Sequence, residues 1–288
     1  MQKSRVENAA LVIEGGGFRG IFTAGVLEVL LENNIIFNCA IGVSAGASYG
    51  VSYVSQEAGR NFKVNKLIGD KRYSSIRNLL KDGSLFSWDF IFNIIPNKIV
   101  LLNYEAFRTS PTQFWVGVTN CKTGKSEYIH INPTNKNEFK TVLSASCSLP
   151  FIAPKVAYKN NLYIDGGLSD SIPYEQAIAA GYPKVLVILT RPKGYTKKPL
   201  TFTWFFKWYY RKYPKIVQLL ISRHERYNNS IKQLEEFEKQ RKVFIIRPES
   251  DIEVSRLENN SKKTEKVYFQ AMELARKQLP ELKQWLIE

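Results

Sequence analysis

Gly42-Val43-Ser44-Ala45-Gly46 sets a serine between two glycines, directly after the apolar run Cys39-Ala40-Ile41 and before a helix-compatible segment. A serine hydroxyl attacks an ester only when it stands clear of the surface, so the chain must turn sharply from strand to helix at that residue. Such a turn crowds its neighbours, and a glycine two residues to either side relieves the crowding. The next backbone N–H, that of Ala45, then points at the reacting carbonyl. The pattern is a nucleophile elbow, and it requires a strand before Ser44 and a helix after it.

The upstream sequence supplies a matching element. Ala9-Ala10-Leu11-Val12-Ile13 reads as a buried parallel strand and runs into Gly15-Gly16-Gly17-Phe18-Arg19-Gly20. Apolar residues then recur at helical spacing from Ile21 to Leu31, and Asn33-Asn34 offers a stop. Strand, glycine loop and helix N-terminus make an anion cradle, because glycine N–H groups can converge where the helix dipole adds positive charge. Gly15, Gly17 and Gly20 also satisfy G-x-G-x-x-G, so a dinucleotide pyrophosphate rivals an oxyanion as the guest. A dinucleotide site wants an acid near the end of the second strand. Cys39-Ala40-Ile41-Gly42 has none and delivers Ser44 instead.

A third element is Asn161-Leu162-Tyr163-Ile164-Asp165-Gly166-Gly167, a short alternating strand ending in an aspartate. Asp-Gly is also a common hairpin turn. Histidines are scarce: His130 and His224 are the only two, so the usual base of a serine hydrolase has few candidates. Ser44, Asp165 and His224 do fall in the chain order of α/β-hydrolases. His224, however, sits in the charged helical face Ser222-Arg223-His224-Glu225-Arg226, where a solvated side chain is expected. His130 belongs to the alternating strand Tyr128-Ile129-His130-Ile131 and is expected to be packed or at an edge.

These three signatures, in this order, resemble those of the patatin-like phospholipase family, and Ala145-Ser146-Cys147-Ser148-Leu149-Pro150 resembles its Ala-Ser-x-x-x-Pro segment. The resemblance covers roughly residues 9 to 190 and implies a three-layer α/β fold with a mostly parallel central sheet flanked by helices. It implies a serine acyl hydrolase of lipid esters, acting through a Ser44–Asp165 dyad without histidine and without a cofactor or metal. Gly15, Gly16, Gly17 and Ala45 would form the oxyanion hole, with Gly20, Gly42, Gly46, Gly166 and Gly167 in support. Arg19 would either place positive charge near the oxyanion or fix the loop by bonding carbonyls. A free aspartate titrates near about 3.9 and is a poor base, so burial must raise it and the N–H donors must contribute about 3 kcal/mol each.

Length and composition fit one large α/β domain: 288 residues, 44% hydrophobic, with Cys39, Cys121 and Cys147 lacking metal spacing and expected as reduced thiols. Residues 1–190 are expected to form the catalytic core, with short helices of residues 60–110 as a cap. Residues 191–288 are expected to add a basic, aromatic helical segment, a last strand and a last helix. Strands are expected at Gln113–Thr119, Lys125–Ile131 and Lys184–Thr190, a helix at Phe139–Ser146, and a hairpin over Val156–Tyr163 turning at Asn160-Asn161. The N-terminus runs straight into the first strand and no apolar run reaches the ~20 residues that span a bilayer. A cytoplasmic protein, peripheral at the inner membrane surface, is expected, with leaderless secretion left open.

The net charge of +15 calls for an anionic partner, and no nucleic-acid motif accompanies it. Between Arg191 and Lys215 stand eight basic residues, nine aromatics and no acid. Trp204, Phe205 and Trp208 with Lys207, Arg211 and Lys212 suit the headgroup boundary of an anionic bilayer, or else a helix packed on the core by its rings. The reading from a different class is a non-catalytic protein binding membrane or nucleic acid through that surface.

Overall fold

Alternate residues of the inner strands feed two separate cores, and that alternation makes the architecture. In β1 (Ser4–Ile13), Leu11 and Ile13 face one core while Ala10 and Val12 face the other. The computed structural model describes residues 4–132, 134–201 and 203–288. After β1 follow α1 (Ile21–Glu32), β2 (Ile35–Val43) and α2 (Ala45–Val54). Next come α3 (Arg60–Asn65), α4 (Ile76–Asp82), a π-helical stretch (Phe90–Ile99) and α5 (Tyr104–Arg108). β3 (Gln113–Asn120), β4 (Ser126–His130), α6 (Lys136–Cys147), β5 (Val156–Tyr158) and β6 (Asn161–Asp165) lead to α7 (Tyr174–Ala179) and β7 (Lys184–Ile188). The last third adds α8 (Thr203–Tyr209), α9 (Pro214–Lys239), β8 (Val243–Ile246) and α10 (Ser261–Ile287).

The strands form one eight-stranded sheet in the order β5-β6-β3-β2-β1-β7-β8, with β4 paired to β3. β3, β2, β1, β7 and β8 are parallel, whereas β4, β5 and β6 are antiparallel additions. Helices α1, α2, α6 and α10 cover one face, and α7 and α9 the other, which is the three-layer α/β fold expected. Strand β7 lies one place from the sheet edge, not at the centre. The β5–β6 turn is Lys159-Asn160, one residue earlier than expected, with both at positive φ (44° and 64°). That is the backbone a two-residue hairpin turn needs to match the strand twist.

The residues expected as a cap fold into α3, α4, the π-helical stretch and α5, hereafter the cap. Arg60 ties it down: its guanidinium is buried and donates to the carbonyls of Leu101 (3.1 Å) and Val100 (3.2 Å) and to Ser52 Oγ (3.1 Å). Asn61 Nδ2 donates to the Tyr49 carbonyl (2.9 Å), so cap and α2 share hydrogen bonds as well as apolar contacts.

Helix α10 lies along α1, and the closest approach is at Gly25, where a Cβ would fall 2.4 Å from the Tyr268 carbonyl oxygen. In a solvent-exposed helix, Gly→Ala stabilises by roughly 1 kcal/mol. Here the sign reverses, because α10 must move away and open the core it covers. Gly25→Ala is expected to lower Tm by roughly 2–6 °C in a thermal melt, and an unchanged or raised Tm would show that α10 is not seated on α1 in this way.

Candidate active site

Strand β3 carries different neighbours along one edge. Over Gln113–Gly117 it pairs in parallel with Cys39–Val43 of β2, and over Val118–Asn120 it pairs antiparallel with Tyr163–Asp165 of β6. The C-terminal ends of β2 and β6 therefore meet head to head on adjacent residues, Val43 opposite Gly117 and Asp165 opposite Val118. Ser44 and Asp165, 121 residues apart in sequence, are brought together there, and Ser44 Oγ donates to Asp165 Oδ2 at 2.6 Å. Gly166 makes the approach possible, since any Cβ would sit 2.1 Å from the Gly117 carbonyl oxygen.

Ser44 occupies φ 55°, ψ −125°, a conformation that costs a non-glycine residue about 1–3 kcal/mol and holds only where its surroundings fix it. Its N–H donates to Ser146 Oγ (2.8 Å), and that hydroxyl donates in turn to the Gly117 carbonyl (2.7 Å). Two residues on, the Ser148 carbonyl accepts from the Asp165 N–H (2.9 Å). The end of α6 and the residues after it thus clamp both strand ends. The sequence marked this segment only by resemblance; the bridging role of the Ser146 hydroxyl was not visible, because its partners come from β2 and β3.

Asp165 is 1% exposed. Burial raises its pKa, against the lowering effects of the Ser44 hydrogen bond, the Arg223 charge, the Gly167 N–H and the Arg256 charge. The Gly167 N–H donates to Oδ1 at 2.8 Å, so Oδ1 is held while Oδ2 faces Ser44. Gly166 and Gly167 open a single 3-10 turn, and Arg223 of α9 fixes it by donating Nε–H to the Gly167 carbonyl (2.8 Å).

The glycine loop divides its N–H groups. Gly15 donates to the Ser171 carbonyl at 3.4 Å, so it is committed to the fold and is not a free oxyanion donor, contrary to expectation. Gly17 opens a 3-10 turn and Ala45 opens α2; the first N–H groups of a helix have no acceptor within it, and both residues border the same cavity as Ser44. Gly16 is buried behind them, and among the described residues nothing accepts its N–H. Gly20 precedes α1, Gly42 is the penultimate residue of β2 and Gly46 lies in the first turn of α2; a Cβ at any of them would fall within 3.0 Å of a neighbour, Tyr49, Ala47 and the Ile13 carbonyl respectively. Arg19 is 5% exposed and bonds no carbonyl among the described residues; its Nε–H has no partner there.

Ser44 opens on a cavity of about 110 Å³ between α2 and the cap. Its wall is largely apolar and aromatic, with Phe86, Trp88, Phe92 and Ile95 from the cap and Leu143 from α6. Cys147 borders it as a half-buried free thiol, raised to about 12 by burial, while Cys39 and Cys121 are buried and free. Among the described residues no cluster of His, Cys, Asp or Glu is placed to hold a metal ion.

Neither histidine joins the pair. His224 is half-buried on α9, not solvated, because its ring folds back so that Nδ1 meets the Ile221 carbonyl at 3.0 Å. His130 stacks on Trp115 with ring centroids 5.0 Å apart, at the β3–β4 edge, and burial lowers its pKa. The aromatic segment is double-sided: Tyr210 is buried and Phe206 half-buried against Phe151, while Trp204 and Trp208 are 69% and 60% exposed. Phe205, Lys207, Arg211 and Lys212 are also exposed; Phe202 lies outside the described residues. No described helix is long and apolar enough to cross a membrane.

Residues 11–178 match the family model described as Patatin-like phospholipase, and residues 213–287 match a domain of unknown function (DUF6363). A curated relative, the uncharacterized protein YjjU of Escherichia coli, is 29% identical over 83% of this chain and 68% of its own length. A probable lipid hydrolase, 463L of Invertebrate iridescent virus 6, is 27% identical over 58% of this chain and 62% of its own. Lysophospholipase NTE1 of Lodderomyces elongisporus is 26% identical over 85% of this chain, which spans only 17% of that protein. The solved structure of VipD from Legionella pneumophila superposes with a TM-score of 0.43 at 13% identity, over 94% of this chain and 67% of that one.

The balance of charges on Asp165 is directly measurable. By carboxyl-carbon NMR its pKa is expected above about 4, the ordinary aspartate value. Arg223→Met removes a cation that favours the carboxylate, so it should move that pKa further up. A value at or below the ordinary one would mean that the site is open to water.

Proposed function

The chain belongs to the patatin-like phospholipase family; on that premise we propose that it is a lipid acyl hydrolase in which Ser44 and Asp165 carry out the hydrolysis as a two-residue machine. The observation that carries this reading is the 2.6 Å hydrogen bond between a strained serine and a buried carboxylate at the mouth of an apolar cavity. Ser44 Oγ attacks the ester carbonyl while its proton passes to Asp165 Oδ2, and the carbonyl π pair moves onto oxygen, facing the N–H groups of Gly17 and Ala45. Collapse expels the alcohol, which takes the proton from Asp165 and leaves acyl-Ser44. Water then attacks, its proton going to Asp165 and on to Ser44 Oγ as the fatty acid departs. The acyl chain lies in the cap cavity, whose aromatic wall removes it from water at about 25 cal/mol per Å² of apolar surface. Phospholipids and lysophospholipids are the substrates this arrangement suits.

The membrane-facing side, on this reading, is the surface that carries α4 and α8. Leu85, following α4, donates its N–H to the Ile152 carbonyl (2.7 Å), and neighbouring Phe151 packs on Phe205, Phe206, Tyr209 and Tyr210. α4 presents Ile76 and Leu80, 72% and 83% exposed, and α8 presents Trp204 and Trp208. Both helices flank the loop that brings Leu149 to the cavity. Apolar side chains that enter the headgroup region, beside Lys207, Arg211 and Lys212, dock the enzyme on anionic bilayers from the cytoplasmic side.

Ser44→Ala and Asp165→Asn are each expected to lower hydrolysis of a p-nitrophenyl ester by roughly a thousandfold or more, with Ser44→Ala also losing fluorophosphonate labelling. His224→Ala should keep most activity; if it is as inactive as Ser44→Ala, a triad replaces the pair.

Trp204→Ser with Trp208→Ser should lower hydrolysis in phosphatidylglycerol vesicles far more than hydrolysis of a soluble ester, without lowering Tm. Equal losses on both substrates would place these rings in the folding core and refute the docking.

A further inference from the structure

Around the glycine loop beside Ser44, cations outnumber the acids, four to the two carboxylates of Glu14 and Asp165. Arg19 follows the glycine loop, Lys197 comes from the segment after β7, Arg223 from α9 and Arg256 from the segment before α10. Arg256 reaches the catalytic face twice: its carbonyl accepts from the Phe18 N–H (3.3 Å), and the residue borders the cavity beside Ser44. Lys197 Nζ lies 4.1 Å from the centroid of the Tyr227 ring, whose hydroxyl donates to Glu14. Glu14 and Asp165 are the acids that these cations feel most directly. Glu14 is already saturated by Tyr227 Oη and by the N–H and hydroxyl of Thr190.

Like charges packed this way oppose one another. Burial first, then Arg223 and Arg256, bring the Lys197 ammonium down to about 7. Burial, then Arg256 and Arg191, lower Arg19 to about 10, and burial and Arg256 lower Arg223 to about 10. Among the described residues no carboxylate pairs with Arg19, Lys197 or Arg256, and the 5%-exposed Arg19 keeps an Nε–H with no acceptor. Arg191, the next cation, differs: it is neutralised by Asp251 at 2.8 Å. A buried, unpartnered guanidinium amid other cations costs stability unless an anion completes it.

We propose that Arg19, Lys197, Arg223 and Arg256 form a phosphate-binding subsite beside Ser44, so that the preferred substrate is an acyl ester whose alcohol portion ends in an anionic phosphate. The inference rests on the hydrolase reading of Ser44 and adds the chemistry of the leaving group. The acyl chain occupies the apolar cavity, the ester carbonyl meets Ser44, and a glycerol backbone leads the phosphate to the cations gathered around the glycine loop, where Arg256 forms the cavity's edge. A phosphate monoester matches the site best, being a dianion with several acceptor oxygens for guanidinium donors. A choline head, by contrast, would bring its ammonium towards like charges.

The test compares two short-chain esters with one acyl group, a lysophospholipid ending in a phosphate monoester and a monoacylglycerol, in wild type, Lys197→Met and Arg256→Gln. Inorganic phosphate serves as the free anion in competition and thermal-shift measurements. Wild type is expected to favour the phosphate ester in kcat/KM, and each variant to lose at least tenfold of that preference. Inorganic phosphate should raise the Tm of wild type and raise that of the variants much less. Without phosphate, Lys197→Met should melt at or above wild type, since the methionine keeps the packing on Tyr227 and removes a repelled charge; a structural lysine would give the opposite sign. A phosphate-dependent Tm shift confined to wild type, without any substrate preference, assigns the site to a free phosphate ion in place of a headgroup. Variants that keep the full preference and the full phosphate shift overturn the proposal. If wild type hydrolyses neither ester, the hydrolase reading fails, and the phosphate shift still decides the cation site by itself.

Discussion

One edge of β3 holds two strand ends, and the rest of the site depends on that arrangement. A parallel strand and an antiparallel strand can share an edge only by meeting end to end, and here they meet between Gly117 and Val118. The meeting point sets the Ser44–Asp165 distance, so the hydrogen bond between them is a property of sheet register more than of either side chain. Backbone groups secure it: the Gly117 carbonyl accepts from Ser146, Ser146 accepts from Ser44, and the Ser148 carbonyl holds Asp165. An interaction built into a ladder is hard to lose by local motion, which is what a serine held in a strained conformation requires.

Around this point the surroundings are sharply unequal. Towards the cap the wall is largely apolar, and its buried guanidinium, that of Arg60, is bonded to two carbonyls and a hydroxyl. Towards α9 and the segments flanking it cations gather, with Arg223 bonded to the Gly167 carbonyl and the Arg19 Nε–H without a partner among the described residues. On the proposal of a phosphate subsite, an apolar chain is drawn to the first side by the release of water and an anion to the second by charge, which gives an amphiphilic ester one favoured orientation at Ser44. The cost is borne by the fold: repulsion among buried cations is an interaction that function keeps and stability alone would remove.

The last third of the chain is part of this machinery. β8 extends the sheet, α10 covers α1, and α9 brings Arg223 onto the turn after Asp165. Arg223 acts on the carboxylate through its charge and on the turn through the Gly167 carbonyl. The segment that carries α8 exposes Trp204 and Trp208, with Phe206 and Tyr210 as its anchor on Phe151.

The sequence by itself determined the elements whose information is local. The apolar run Ala9–Ile13, the helix from Ile21, the elbow at Ser44 and the strand ending at Asp165 each carry their period and their punctuation within a few residues, and each stands where it was expected. The β5–β6 hairpin was legible too, off by one residue at its turn, because Lys159 and Asn160 take a left-handed backbone that neighbouring Asn160-Asn161 could equally supply. Only the tertiary structure decided what depends on partners far along the chain. The Gly15 N–H is taken by Ser171, the Ser44 N–H is held by Ser146, His224 turns back onto its own helix, and α10 seats on Gly25. The cation cluster was the least legible feature, since its members stand at positions 19, 197, 223 and 256, far apart along the chain and in unlike surroundings, from a glycine loop to a charged helix. Periodicity and glycine spacing record how a segment meets its nearest neighbours; charge acts through space, and no local pattern records which side chains folding will bring together.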